Sequence, residues 1–100
     1  MAGRPPVAVT RALRSLGEHL RRWRQLNGLT QALLAERADV SVPTVRAIET
    51  GAPVSTESLA RVLRVLGVLD GIVAAADPMS TDVGRLRADE RLPQRVRSRR

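Results

Sequence analysis

Leu29–Gly51, LTQALLAERADVSVPTVRAIETG, is the stretch whose reading decides the fold. It contains two short helical patterns that meet at a polar corner, the second ending at a glycine. Leu34, Ala35 and Ala38 form one apolar stripe, and Val45 and Ile48 form another three residues apart, so each helix offers only a narrow face for burial. Two such helices need a third to pack on. Between the stripes lie Asp39, Val40 and Ser41, where Asp tolerates a turn conformation and Ser41 can accept a hydrogen bond from the amides that open the next helix. The pattern predicts a helix-turn-helix.

Upstream, Leu13, Leu16, Leu20 and Trp23 follow spacings of three, four and three, which places them on one side of a first helix with Arg11, Arg14, Arg21 and Arg22 on its other faces. The helix is expected from Thr10, or from Ser15 if Ser15 and Glu18 act as a capping box, and it stops at Asn27 and Gly28. Trp23 is expected in the core. Residues 1–9, with Gly3, Pro5 and Pro6, are expected to form a loose arm. Thr30 caps a helix over Gln31–Ala38, and the next helix runs from about Val42 to Thr50 with Pro43 in its first turn. Downstream, Ser55 or Thr56 caps a fourth helix with Leu59, Leu63 and Leu66 facing inward and Gly67 breaking it, and Leu69–Ala76 forms a short fifth. Asp77 and Pro78 mark an edge, beyond which seven Arg and four acids crowd into 24 residues, predicting a mobile tail. With no repeat, strand alternation or long heptad pattern, the expected fold is all-α: a five-helix domain over 10–76, an arm over 1–9 and an Arg-rich tail over 77–100.

The net charge of +7 is carried by 17 basic residues, all Arg. Arginine favours bidentate contacts to phosphate, guanine or carboxylate, although genomic base composition produces the same bias. There is no cysteine, hence no disulfide framework and no thiolate metal site. No run of 18 apolar residues is present, and the N-terminus lacks the apolar core of a secretory signal, so a cytoplasmic protein is expected. His19 is the only histidine and reads as a surface residue, not a metal ligand. No nucleophile with a base partner can be assembled, and Gly67 and Gly71 make no phosphate loop, so neither an enzyme nor a cofactor is expected. A single aromatic residue gives no stacking platform for single strands.

Leu29–Gly51 resembles the lambda-repressor-like, or xenobiotic-response-element, family of helix-turn-helix proteins. The resemblance is carried by Leu29, Thr30, Gln31, Leu34, Ala35, Val40, Ser41, Thr44, Val45, Ile48, Glu49 and Gly51, with Leu16–Gly28 similar to that family's first helix. Asp39 departs from it, standing where the family prefers glycine at a turn that can require a positive φ. The resemblance implies a double-stranded DNA operator as partner. It implies that Ser41, Val42, Pro43, Thr44, Arg46 and Ala47 form the DNA-reading segment and that Gln31 contacts phosphate beside the exposed amides of its helix. Val42, Pro43 and Ala47 would meet thymine methyl groups, and Arg46 a guanine or a phosphate. Arg24 and Glu49 stand at two positions that often pair in the family, and are expected to tie the first helix to the end of the recognition helix. Leu33 stands where a polar residue is usual and is either a small contact or a tolerated surface residue.

In the tail, Asp82 and Gly84 followed by Leu92, Pro93, Arg95, Val96 and Arg97 resemble the tails of small helix-turn-helix proteins encoded beside HipA-like kinase toxins. That likeness implies a HipB-like antitoxin: a homodimer that places two recognition helices about 34 Å apart on a palindromic operator, represses its own operon, and holds the kinase inactive. Arg85, Arg87, Arg91, Leu92, Pro93, Arg95 and Arg97 would be the partner-binding residues, and Val68, Leu69, Ile72 and Val73 the dimer surface. Two alternatives stand beside it. One is a stand-alone or phage-type repressor without a toxin, and the other an interaction adaptor that no longer binds DNA.

Overall fold

A computed structural model describes residues 3–92. Among them are six α-helices, one 3-10 turn and no strand. In chain order these are α1 (Val7–Leu26), α2 (Gln31–Ala38), α3 (Val42–Thr50), α4 (Thr56–Leu66), α5 (Leu69–Ala76), the 3-10 turn (Pro78–Ser80) and α6 (Asp82–Arg91). Contacts divide the chain into two units at Leu69 and Asp70.

The first unit is held by the expected stripes. Leu34, Ala35 and Ala38 of α2 meet Val45 and Ile48 of α3, Leu20 of α1, Leu29, and Val62, Leu63 and Leu66 of α4 in one core. Leu34, Val45 and Val62 are fully enclosed. Val62 was not singled out by the leucine pattern, because a β-branched residue between Leu59 and Leu63 falls on the same face. Caps set the element boundaries. Thr30 accepts from the Leu33 amide, Ser41 from Thr44 and Ser55 from Ser58, while Gly51 and Gly67 end their helices in the left-handed conformation. Asp39 ends α2 with φ 57° and ψ 49°, the only non-glycine with positive φ among the described residues. The turn that the family resemblance associates with glycine is thus made by an aspartate in the left-handed region, and Arg61 approaches its carboxylate at 3.4 Å.

Three expectations for α1 need correction. The helix begins at Val7, not at Thr10 or Ser15, so Ser15 and Glu18 lie inside it and cap nothing. Pro6 stands at the N-cap position and Pro5 before it, where the missing amides cost no helical hydrogen bond. Second, Trp23 is 45% exposed and Leu13 39% exposed, so neither belongs to the core. Third, the stripe that does face inward is Leu16, Gly17, Leu20 and Arg24, because α1 meets α3 through a glycine. A Cβ on Gly17 would come within 2.4 Å of the Ile48 carbonyl oxygen and 2.6 Å of that of Glu49. The close crossing turns the helix so that Trp23 leaves the contact.

In the second unit, the 3-10 turn and α6 replace part of the expected structureless tail. Asp77 caps the turn, and Thr81 caps α6 by accepting from the Gly84 amide at 2.9 Å. Gly84 lies so close to the Pro78 carbonyl that no side chain fits between them. Pro93, Arg95, Val96 and Arg97 lie outside the described residues.

Candidate nucleic-acid interface

The solvent face of α3 is a single row. Pro43, Arg46, Ala47 and Thr50 recur at i, i+3, i+4 and i+7, with Pro43, Arg46 and Thr50 exposed and Ala47 half-buried. Arg46 makes no ion pair among the described residues. Val42 and Thr44 are half-buried, and Val42 packs against the core, so less of it is available to a partner than the resemblance implied. Ser41 and Thr44 serve the helix start: Ser41 Oγ accepts from the Thr44 amide at 3.2 Å, and the two hydroxyls lie 2.8 Å apart. Thr50 was not among the sequence candidates. Its hydroxyl donates back to the Arg46 and Ala47 carbonyls at 3.0 and 3.2 Å, so it can meet a partner only as an acceptor. The signal for it was present in the spacing of seven from Pro43.

The end of α3 is fastened to α1 and α2 by a buried polar network. Arg24 Nε donates to Glu49 Oε2 at 2.6 Å, and its Nη2 to Oε1 at 3.1 Å. Nη1 donates to the Leu29 carbonyl at 2.8 Å. The two side chains are only 11% and 4% exposed, so this is an interior pair. Gln31 joins it, donating Nε2 to Glu49 Oε1 at 3.0 Å. One amide hydrogen of Gln31 therefore remains for an outside acceptor such as phosphate. Beside it the first amides of α2, apart from the capped Leu33, are not bonded within the helix.

Arg21, Thr30, Gln31 and Thr50 rim a cleft of about 490 Å³ whose floor is the Arg24–Glu49 pair. Arg21 was read from sequence only as part of a solvated face. Its place beside Thr50 and the α2 start follows from the α1–α3 crossing. The cleft thus gathers a guanidinium with no ion pair among the described residues, an amide N–H and a helix start next to the α3 row. Those groups suit an anionic backbone, and the row beside them suits the edges of stacked bases.

Elsewhere, Arg61 is pushed above its ordinary pKa, first by the hydrogen bond and charge of Glu57 and then by Asp39. His19 lies with Arg22, Trp23 and Leu26 around a shallow apolar depression of about 250 Å³. Leu33 is exposed, at 39%. In the second unit, Arg85 is occupied internally: it pairs with Asp82 and donates to the Met79 carbonyl. Arg87, Arg91 and Leu92 instead border an open cleft. Among the described residues, no three of His, Cys, Asp and Glu come together to hold a metal ion, and no helix is long and apolar enough to cross a membrane.

Comparison with known proteins agrees with this geometry. A helix-turn-helix domain family matches residues 15–76, which contain α2, α3, α4, α5 and most of α1. No curated protein and no solved structure gives a match. With a compact α2–corner–α3 unit, an exposed row on α3 and a family match over more than half of its length, the chain belongs to the helix-turn-helix domain family of DNA-binding proteins.

Proposed function

We propose that the protein is a sequence-specific repressor of the lambda-repressor-like type that binds duplex DNA as a homodimer. The observation that carries this is the α3 row of Pro43, Arg46, Ala47 and Thr50, which stands free beside the phosphate-type cleft of Arg21, Thr30 and Gln31. A helix with its outer row free fits the major groove, and its neighbours reach the strands on either side. Residues 10–76 form the DNA-binding domain in this reading. Pairing through α5 is supported by the exposure of Ile72 and Val73, 41% and 62%, whereas Val68 and Leu69 partly pack against the core. The test is a gel shift with the DNA upstream of the chain's own gene. The expected result is a complex that survives excess random duplex, and equal competition by random duplex at moderate salt refutes sequence-specific repression.

One observation favours an antitoxin role over a stand-alone repressor. Pro78, Met79, Val83 and Leu92 line a cleft of about 490 Å³ in the second unit, with Arg87 and Arg91 on its border, which suits a protein partner better than a uniformly basic arm would. In that reading residues 77–100 hold a HipA-like kinase encoded nearby. Co-purification with the product of a neighbouring kinase-like gene, lost on truncation after Ala76, supports it, and a neighbouring kinase that does not co-purify refutes it.

A further inference from the structure

The two helical turns that precede the family-matched segment carry a charge pattern that the helix-turn-helix does not account for. From Met1 to Gly17 the sequence holds Arg4, Arg11 and Arg14 and no acidic residue, the first acid being Glu18. Residues 7–14 belong to α1 although the family match starts at residue 15. Arg4, Arg11 and Arg14 line one groove of about 280 Å³ together with Pro5, Val7 and Thr10. All three arginines are exposed, and none forms an ion pair among the described residues.

The groove's position relative to α3 is fixed by backbone contacts. A Cβ on Gly51, the residue that ends α3, would come within 2.9 Å of the Arg14 Cα, so α1 passes directly over the end of that helix. Arg14 and Arg21 are seven residues apart, and at about 100° per residue they leave α1 within about 20° of each other. Arg21 rims the cleft that holds Gln31 and Thr50, so Arg14 continues the same line past the end of α3. Arg11 and Arg4 extend that line toward the chain start.

We infer that Arg4, Arg11 and Arg14 form a phosphate-binding edge that holds the duplex backbone beyond the end of the α3 row, lengthening the footprint past the helix-turn-helix itself. Phosphates line both rims of the major groove, and a helix lying across the end of the reading helix meets one rim. Three guanidiniums that form no ion pair among the described residues supply charge there at little cost in broken pairs. The inference rests on the duplex-binding reading above and names contacts that reading does not require.

The test compares the full-length protein with R4Q/R11Q/R14Q and with R4K/R11K/R14K on a fluorescent random-sequence duplex of about 30 base pairs. Affinity is measured across a salt series, since each phosphate neutralised adds about 0.9 to the slope of log K against log salt. The glutamine variant is expected to lose two to three from that slope and on the order of 10²-fold in affinity at 0.1 M salt. The lysine variant is expected to keep most of the slope, because it keeps the charge. Helical content and melting temperature should match the parent in both, as the three side chains are exposed. A parent that binds steeply with a glutamine variant of unchanged slope overturns the inference and leaves the repressor reading standing. A parent that binds no random duplex even at low salt also overturns the inference, and the gel shift on upstream DNA then decides the repressor reading separately.

Discussion

Replacing Arg24 by methionine tests whether the α1–α3 crossing is fixed by an interior ion pair. Methionine keeps much of the aliphatic volume and removes three donors, two to Glu49 and one to the Leu29 carbonyl. Glu49, 4% exposed, is left as a buried carboxylate whose remaining side-chain donor is Gln31 at 3.0 Å. Stranding one member of a buried pair costs about 3–5 kcal/mol. The Gln31 bond keeps the figure at the lower end, and the orphaned Leu29 carbonyl adds about 1 kcal/mol. The expected loss is therefore about 3–4 kcal/mol, a drop of roughly 12–24 °C in melting temperature even at the lower figure, given about 4–8 °C per kcal/mol for a domain of this size. Thermal and urea melts followed by far-ultraviolet circular dichroism measure it. The E49M variant should cost a similar amount, and R24M/E49M should fall short of the sum by at least about 2 kcal/mol, because the double variant leaves no charge stranded. Single-variant losses below about 1 kcal/mol, or costs that add within about 0.5 kcal/mol, would refute the interior-pair argument and return the contact to an exposed one.

Gly17→Ala should destabilise by about 2 kcal/mol or more despite alanine's better helix propensity, because its methyl group meets two carbonyl oxygens at less than 3 Å; a melt showing no loss would mean the crossing can slide apart freely. At Asp39, φ 57° is easy only for glycine, so D39G should be more stable than D39A by about 1–2 kcal/mol in urea melts, with little change in either direction for D39G against the parent. On the duplex reading, Arg46→Ala should leave the melting temperature unchanged and weaken DNA binding by about 1–3 kcal/mol in a fluorescence titration, since the side chain is exposed and makes no ion pair among the described residues. Leu34→Ala, which empties a fully buried site, should cost about 2–5 kcal/mol by the same melts.

The centre of the domain was legible because its signals are local. Thr30, Ser41 and Gly51 announce boundaries through caps that depend on a few neighbouring atoms, and the observed helices Gln31–Ala38 and Val42–Thr50 begin and end where those residues place them. The first helix was misread for a nonlocal reason. Hydrophobic spacing made Leu13, Leu16, Leu20 and Trp23 one stripe, yet which residues of a stripe are buried depends on where the partner helix lies. That partner approaches at Gly17, and a glycine within a helical pattern reads as a weak point, not as a contact. The stretch after Asp77 was obscured in another way. Its composition suggests a solvated tail, while the features that order residues 78–91, the Thr81 cap and the Gly84 approach to Pro78, are single small residues that composition does not register.

On the duplex reading, the same accounting bears on how a site would be chosen. Of the α3 row, only Arg46 and Thr50 carry polar side chains, and the Thr50 hydroxyl already donates within its own helix. Pro43 and Ala47 can distinguish a thymine methyl but make no hydrogen bonds through their side chains. Direct base reading by one protomer is therefore thin, while charge around it is plentiful: Arg14 and Arg21 flank the row on α1. A reader built this way gains affinity mainly from phosphates and selectivity from the spacing of two half-sites and the ease with which the intervening DNA deforms. Changing half-site spacing by half a helical turn, about five base pairs, should then abolish selective binding by moving the second groove to the opposite side. Replacing a single base pair under Ala47 should cost only about 1 kcal/mol, at the low end of the range for a mismatched pair. The reverse order, with base changes dominating and spacing tolerated, would place the selectivity in Arg46 alone and remove the need for a paired arrangement.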